Sequence, residues 1–276
     1  MLALLLACAP EEEKDTPSLD AGAFAVLSYN VHGFPSEITG DDSPARMAQI
    51  APHLGDFDLI GLQEVWEEAF AATLDAGAGD VDARAELSEP VADDRVYGAG
   101  LISYARHAAT AVRTVYYDDC YGTFDGASDC WASKGFIVMT LALAEGVEVD
   151  FYDSHMEAGS GPEDNAARAS QVDALLADMN GPAAGRAVLF VGDTNLGGDA
   201  IDQPEVDRWM AGAGLESACD AVACPEPTRI DRILFRSGEG VTLSVDAWAV
   251  ETSFVDAQGV ALSDHEAISA RMSWAR

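Results

Sequence analysis

Six short segments of this chain place a carboxylate, an amide or an imidazole where a hydrophobic stretch ends or begins. They are Leu27-Ser28-Tyr29-Asn30, Leu62-Gln63-Glu64-Val65, Asp153-Ser154-His155, Val191-Gly192-Asp193-Thr194-Asn195, Arg229-Ile230-Asp231-Arg232-Ile233 and Ser263-Asp264-His265. Glu64 follows the apolar run Leu59-Ile60-Gly61-Leu62-Gln63. A carboxylate at the end of such a strand is costly unless it is paired or meets a metal. A hard cation such as Mg2+ takes few protein carboxylates, keeps several waters and reaches out to a phosphate. Asp193 and Asn195, two residues apart on extended chain, point the same way, although Asp-x-Asn is also turn chemistry. Gly192 lets backbone approach a ligand closely. His155 and His265 both follow strand-like runs, whereas His32, His53 and His107 read as structural histidines.

The elements that must position these groups alternate between strand and helix signals, which favours a mixed sheet covered by helices. Strands are expected at residues 24–31, 58–65, 100–106, 110–117, 135–143, 147–154, 187–191, 229–236, 242–250 and 267–274. Asp42-Ser43-Pro44 predicts a capped helix start with proline in the first turn. Pro162-Glu163-Asp164 opens a second helix, with Ala167, Val172, Leu175, Leu176 and Met179 as its buried face. A third is expected over 203–213. The longest Gly/Asp-rich stretch, 75–84, is too short for a domain linker, so residues 23–276 are expected to form one domain.

Taken together and in this order, the segments resemble the endonuclease/exonuclease/phosphatase superfamily, the DNase I-like metal-dependent phosphodiesterases. The resemblance spans residues 24–274. It implies a four-layered α/β sandwich, two packed mixed β-sheets flanked by helices. It also implies a phosphodiesterase cofactor, Mg2+ with Mn2+ or Ca2+ as alternatives, held by Glu64 with Asn30 beside it and Asp264 nearby. Asp193 and Asn195 would bind the nucleophilic water and a phosphate oxygen. His265 would act as general base, oriented by Asp231, and His155 would donate to the phosphate side. Arg168 and Gln171, one helical turn apart, would support the active-site loop.

Three details resemble the bacterial and neutral sphingomyelinases. Ala132-Ser133-Lys134-Gly135 leads into a strand as Asn-Lys-Gly does in that branch, with Ser133 at the asparagine position. Lys134, the one lysine beyond the N-terminal tether, would lie near a phosphate. Asp153-Ser154-His155-Met156-Glu157-Ala158 resembles a second segment, and Trp248-Ala249-Val250 precedes Ser263-Asp264-His265 by about the spacing of a lipid-contacting hairpin. In this chain that hairpin, 251–262, offers only Phe254 and Val255 as apolar contacts. The resemblance implies a phospholipid headgroup hydrolase acting at a membrane surface. A secreted DNase I-like endonuclease is the alternative, then an inositol-phosphate phosphatase. A non-catalytic binding protein of the same fold would require a broken site.

Charge bears on that choice. The chain carries 48 Asp plus Glu against 15 Lys plus Arg, a net charge of -33. Nucleic-acid binding normally needs a basic patch to displace counterions, so it is disfavoured unless salt screens the repulsion; an acidic, lysine-poor surface also suits saline media. A zwitterionic choline headgroup meets no such repulsion. No protein partner is predicted.

Met1-Leu2-Ala3-Leu4-Leu5-Leu6-Ala7-Cys8 resembles the end of a bacterial lipoprotein signal, without its basic leading region. It implies lipidation at Cys8, a flexible tether through residue 22, and an exported location, secreted or anchored to the outer membrane or cell surface. The rival reading is an apolar N-terminal stretch with no such role. The four remaining cysteines fall in two close pairs, Cys120 with Cys130 and Cys219 with Cys224. In an exported protein they suggest two local disulfides. A four-cysteine zinc site is the alternative, but the spacings lack two-residue knuckles.

Overall fold

Alternation along the strands explains the layering. In the computed structural model, which describes residues 20–124, 127–225 and 229–276, Val26, Leu59, Leu189 and Val191 share one buried cluster while their neighbours Leu27, Ile60 and Phe190 belong to others. Successive side chains thus feed opposite faces of each sheet. Cys8 and most of the expected tether lie outside the described residues.

The strands are β1 (Ala21–Gly33), β2 (Leu59–Val65), β3 (Ala83–Leu87), β4 (Leu101–Ala105), β5 (Ala109–Tyr116), β6 (Gly135–Ala144), β7 (Val147–His155), β8 (Ala187–Asp193), β9 (Glu216–Ser217), β10 (Asp231–Arg236), β11 (Thr242–Val250) and β12 (Ile268–Ala275). The helices are α1 (Ser36–Thr39), α2 (Ser43–Ile50), α3 (Glu68–Ala78), α4 (Pro162–Asn180), α5 (Asp202–Ala213) and α6 (Ala218–Ala221). One sheet runs β11-β12-β1-β2-β4-β3 and the other β5-β6-β7-β8-β10-β9. Among the described residues only β1–β2 and β7–β8 form parallel ladders, so both sheets are mixed, and each keeps a parallel pair near its middle.

Both sheets contribute to the central core, which holds Val26, Leu59 and Ile268 with Ile137, Phe151 and Ile233. Outside the first sheet, Tyr29 and Leu62 pack with Met47 of α2 and Leu74 of α3. Outside the second, Tyr152 and Phe190 pack with Val172 of α4 and Trp209 of α5. Helix, sheet, sheet and helix make the four-layered α/β sandwich that the resemblance implied.

The expected helix starts are formed as read: the Asp42 side chain accepts from Ala45 N–H at 3.1 Å, and Asp164 accepts from Gly161 N–H at 2.8 Å at the start of α4. Cys120–Cys130 and Cys219–Cys224 are disulfide-bonded, with Cα separations of 5.4 and 5.0 Å. Several arginines turn inward onto main-chain oxygens. Arg46 donates to the carbonyls of Val31, His32 and Leu262, and Arg106 to those of Gly55, Phe57, Ala78 and Asp80. Arg236 likewise reaches Met179, Ala183, Arg186 and Ala213.

Candidate active site

The C-terminal ends of the two parallel pairs meet at one edge of the sandwich. Asn30 is registered against Gln63, which puts Glu64 one residue further along β2. Asp193 sits between His155 of β7 and Asp231 of β10 in register. The sheets then join through side chains: Asn30 Nδ2 donates to Glu64 Oε1 at 2.9 Å and to Asp193 Oδ2 at 3.0 Å. Asn30, implied as a cation ligand, thus turns its amide nitrogen to both carboxylates, while its Oδ1 accepts from His32 N–H at 3.0 Å.

His265 and Asp231 form a dyad, with Nδ1 3.0 and 3.1 Å from the two carboxylate oxygens. The opposite ring nitrogen, Nε2, lies 3.5 Å from Asp193 Oδ2. His155 Nε2 stands 3.6 Å from the same oxygen and 3.9 Å from Glu64 Oε1. One ligand atom each from Glu64, Asp193 and His265 lie within 4.8 Å of one another. Glu64 Oε2 is buried with no hydrogen-bond partner among the described residues. Two converging carboxylates with an open oxygen fit a hard divalent cation. Asp264 sits at the rim, 60% exposed, with Oδ1 3.3 Å from His32 Nδ1.

Electrostatics set the protonation states. Burial opposes the charge on Glu64, but His32, whose Nδ1 stands 3.7 Å from Oε2, and the neighbouring His155 outweigh it and bring its pKa down to about 2. Burial, then the nearby Asp231, raises Asp193. Burial and the Lys134 ammonium push His155 down to about 3, so it is neutral at pH 7. His265 goes the other way: burial would lower it, yet Asp231 raises it to about 9.

Lys134 is nearly buried and engaged on all sides. Its Nζ lies 3.2 Å from His155 Nε2, donates to Met156 O at 2.7 Å, and pairs with Asp129 Oδ1 at 2.9 Å. Ser133 is turned away: its Oγ accepts from Val91 N–H at 2.9 Å. Asn195 N–H donates to Asp193 Oδ1 at 3.0 Å, and Asn195 Nδ2 to Met156 O at 3.1 Å. Arg168 donates to the carbonyls of Glu157, Ala158 and Gly159, and Gln171 accepts from Glu157 N–H at 2.8 Å. Both hold the loop after His155.

His32 was read as structural, but it reaches Glu64 Oε2 at 3.7 Å as well as Asp264. His32, Glu64 and Asn195 all have positive φ, 49°, 60° and 49°, a conformation that costs energy in non-glycine residues and clusters at functional sites. Gly192 also answers a packing demand of its own sheet. A Cβ there would strike the Ser154 backbone of β7, so the neighbouring strand requires the glycine. Phe254 does not project: it is 3% exposed and packs on Tyr29 with ring centroids 4.8 Å apart.

Comparison with known proteins decides the family. The model of the endonuclease/exonuclease/phosphatase family matches residues 27–265. The chain belongs to that family. It is 30% identical over 264 residues to a sphingomyelinase of Mycobacterium tuberculosis (strain ATCC 25618 / H37Rv), a match covering 89% of this chain and 51% of the relative. The chain thus spans about half the length of the curated relatives it matches. Among solved structures, sphingomyelinase C from Streptomyces griseocarneus is similar with a TM-score of 0.65 at 22% identity, covering 91% of this chain and 99% of that one. A beta toxin mutant from Staphylococcus aureus with bound magnesium ions gives 0.66 at 13%, over 90% and 99%. TDP2 from D. rerio with a single-strand DNA product gives 0.66 at 17%, over 91% and 98%. At these identities the three structural likenesses speak for the family's fold alone.

Proposed function

We propose that this family member is a Mg2+-dependent phosphodiesterase that hydrolyses the headgroup ester of a phospholipid, sphingomyelin first among the candidates. The observation that carries the reading is the convergence of the His265–Asp231 dyad and Glu64 on Asp193 Oδ2. Glu64 and Asp193 are the groups that would hold the cation, with Asn30 aligning their carboxylates and His32 steadying Glu64. A bound divalent cation would offset charge on the phosphoryl oxygens and draw the nearby His265 toward its neutral form.

A water seated beside the pair, within reach of both Asp193 Oδ2 and His265 Nε2, can give its proton to the imidazole. Asp231, at Nδ1, keeps the opposite nitrogen free to accept and stabilises the imidazolium that results. The hydroxide equivalent attacks phosphorus, the bond to the leaving alcohol breaks in line with it, the alkoxide takes a proton from solvent water as it departs, and the His265 imidazolium returns its proton to solvent. His155 is neutral, so it contributes a polar contact, and the positive charge beside it belongs to Lys134. Asn195, pinned to Asp193 and Met156, closes the far side.

The sphingomyelinase relative supports the lipid headgroup, and the net charge of -33 argues against polyanionic nucleic acid. The test is release of phosphocholine from sphingomyelin vesicles with Mg2+, beside plasmid nicking at low and high salt, with His265→Ala as the blank. We expect phosphocholine release that falls by roughly 10²–10⁴-fold in the variant. Nicking without phosphocholine release would assign the site to nucleic acid and reject the lipid reading.

A further inference from the structure

An apolar groove of about 480 Å3 opens beside the site. Phe34, Trp66 and Tyr97 form its inner wall, and Ile38, Val96 and Trp131 its outer edge. The inner wall is continuous with the reacting groups. The Phe34 ring lies 5.6 Å from His32 and 5.5 Å from Trp66, and Trp66 lies 6.3 Å from His155 and 5.5 Å from Tyr97. Asp129, which pairs with Lys134, also lines the groove.

The outer edge is unusually bare. Ile38 is 62% exposed, Val96 49% and Trp131 37%, while Phe124, at 88%, stacks edge-on against Trp131 at 5.5 Å. Most of the large apolar side chains exposed among the described residues gather on or beside this rim, since Val91 lies next to it through its bond to Ser133. Contiguous exposed apolar surface marks an interaction site. The cations beside it are engaged, Arg95 by Cys130 O and Asp94 and Lys134 by Asp129, so the rim offers anionic lipid little attraction.

We infer that this rim is where the protein enters a zwitterionic lipid surface, with Ile38, Phe124 and Trp131 seated among the acyl chains and the groove receiving the apolar part of the lipid whose phosphate lies at the site. The inference rests on the proposal that the substrate is a lipid, and it moves the point of contact from the hairpin over residues 251–262 to the segments at residues 38, 96, 124 and 127–131. Phe254, the hairpin's one aromatic, is buried and unavailable.

Vesicle binding tests this apart from catalysis. Sedimentation with phosphatidylcholine vesicles lacking sphingomyelin, in chelator, reads docking alone; hydrolysis of bis(4-nitrophenyl) phosphate with Mg2+ reads the site alone. The triple variant Ile38→Ser/Phe124→Ser/Trp131→Ser is expected to bind vesicles at least about tenfold more weakly and to hydrolyse the soluble ester within about twofold of wild type. Phe124→Ser alone, at a position 88% exposed, gives a milder loss with no burden on folding. Val255→Ser in the hairpin leaves binding unchanged. Wild type that ignores the vesicles, or rim variants that bind as wild type does, overturns the inference. Rim-dependent binding without phosphocholine release would uphold the docking surface while the sphingomyelin reading falls.

Discussion

Replacing Asp153 by asparagine should remove a pH dependence of stability. Asp153 lies between the sheets, fully buried, accepting from Gln63 Nε2 at 2.7 Å and Ser103 Oγ at 3.0 Å. Burial pushes its carboxyl up to about 8 from an ordinary 3.8, against the pull of the Gln63 and Ser103 bonds. The folded chain therefore keeps a proton that the unfolded chain releases. The stability linked to that proton is complete below the unfolded value and drains away as pH rises toward about 8. At ~1.4 kcal/mol per pH unit, the loss between about pH 4.5 and 7.5 is roughly 4 kcal/mol. Asparagine keeps the shape without the charge, and Gln63 Oε1, which has no partner among the described residues, can turn to accept from its amide. Urea unfolding across that range, without metal, should show Asp153→Asn gaining on wild type by roughly 4 kcal/mol. Parallel curves would mean that Asp153 is ionised in the folded protein and the reasoning fails.

Glu64→Gln should abolish the rise in melting temperature that Mg2+ gives the wild type, because it removes the carboxylate held ionised down to about pH 2; differential scanning fluorimetry reads this. Asp231→Asn should lower the titration midpoint of His265 from about 9 by more than one pH unit in metal-free NMR. The stability that the wild-type pair contributes is present below the ordinary histidine value and lost as pH rises through about 9, so the variant should be flat there. Phe254→Ala should cost roughly 3–5 kcal/mol of unfolding free energy and leave vesicle binding unchanged.

The strands were legible because their apolar residues either alternate or run unbroken, and all ten expected ones form. Strand β3 was missed because Arg84 and Glu86 point outward and pair with each other at 2.7 Å, so half its residues look like loop. Helix α3 hid its face behind a run of alanines and a glycine. At the site, Glu64, Asp193, Asp231 and the two strand-end histidines announced themselves by position. His32 did not: a histidine two residues past Asn30 carries no signal until the positive φ turns it back onto Glu64. Asp129 was equally silent, since an acid in a turn-rich, disulfide-closed loop looks solvated, and only the fold shows it paired with Lys134. The groove was unreadable because its walls come from segments far apart in sequence.

The inward-turned arginines make the protein two electrostatic objects in one. Inside, guanidinium groups hold carbonyl oxygens of neighbouring loops, Arg46 gripping both the His32 turn and the approach to Ser263, and these are hydrogen bonds to neutral oxygens, on which counterions act little. Outside stands a shell of carboxylates with few cations to balance it. Added salt acts on the second object and barely on the first, because mobile ions screen exposed charges over about 10 Å at 0.1 M. Brine would thus calm the shell's self-repulsion while leaving the seams of the sandwich closed, and fresh water would strain the protein from its skin inward.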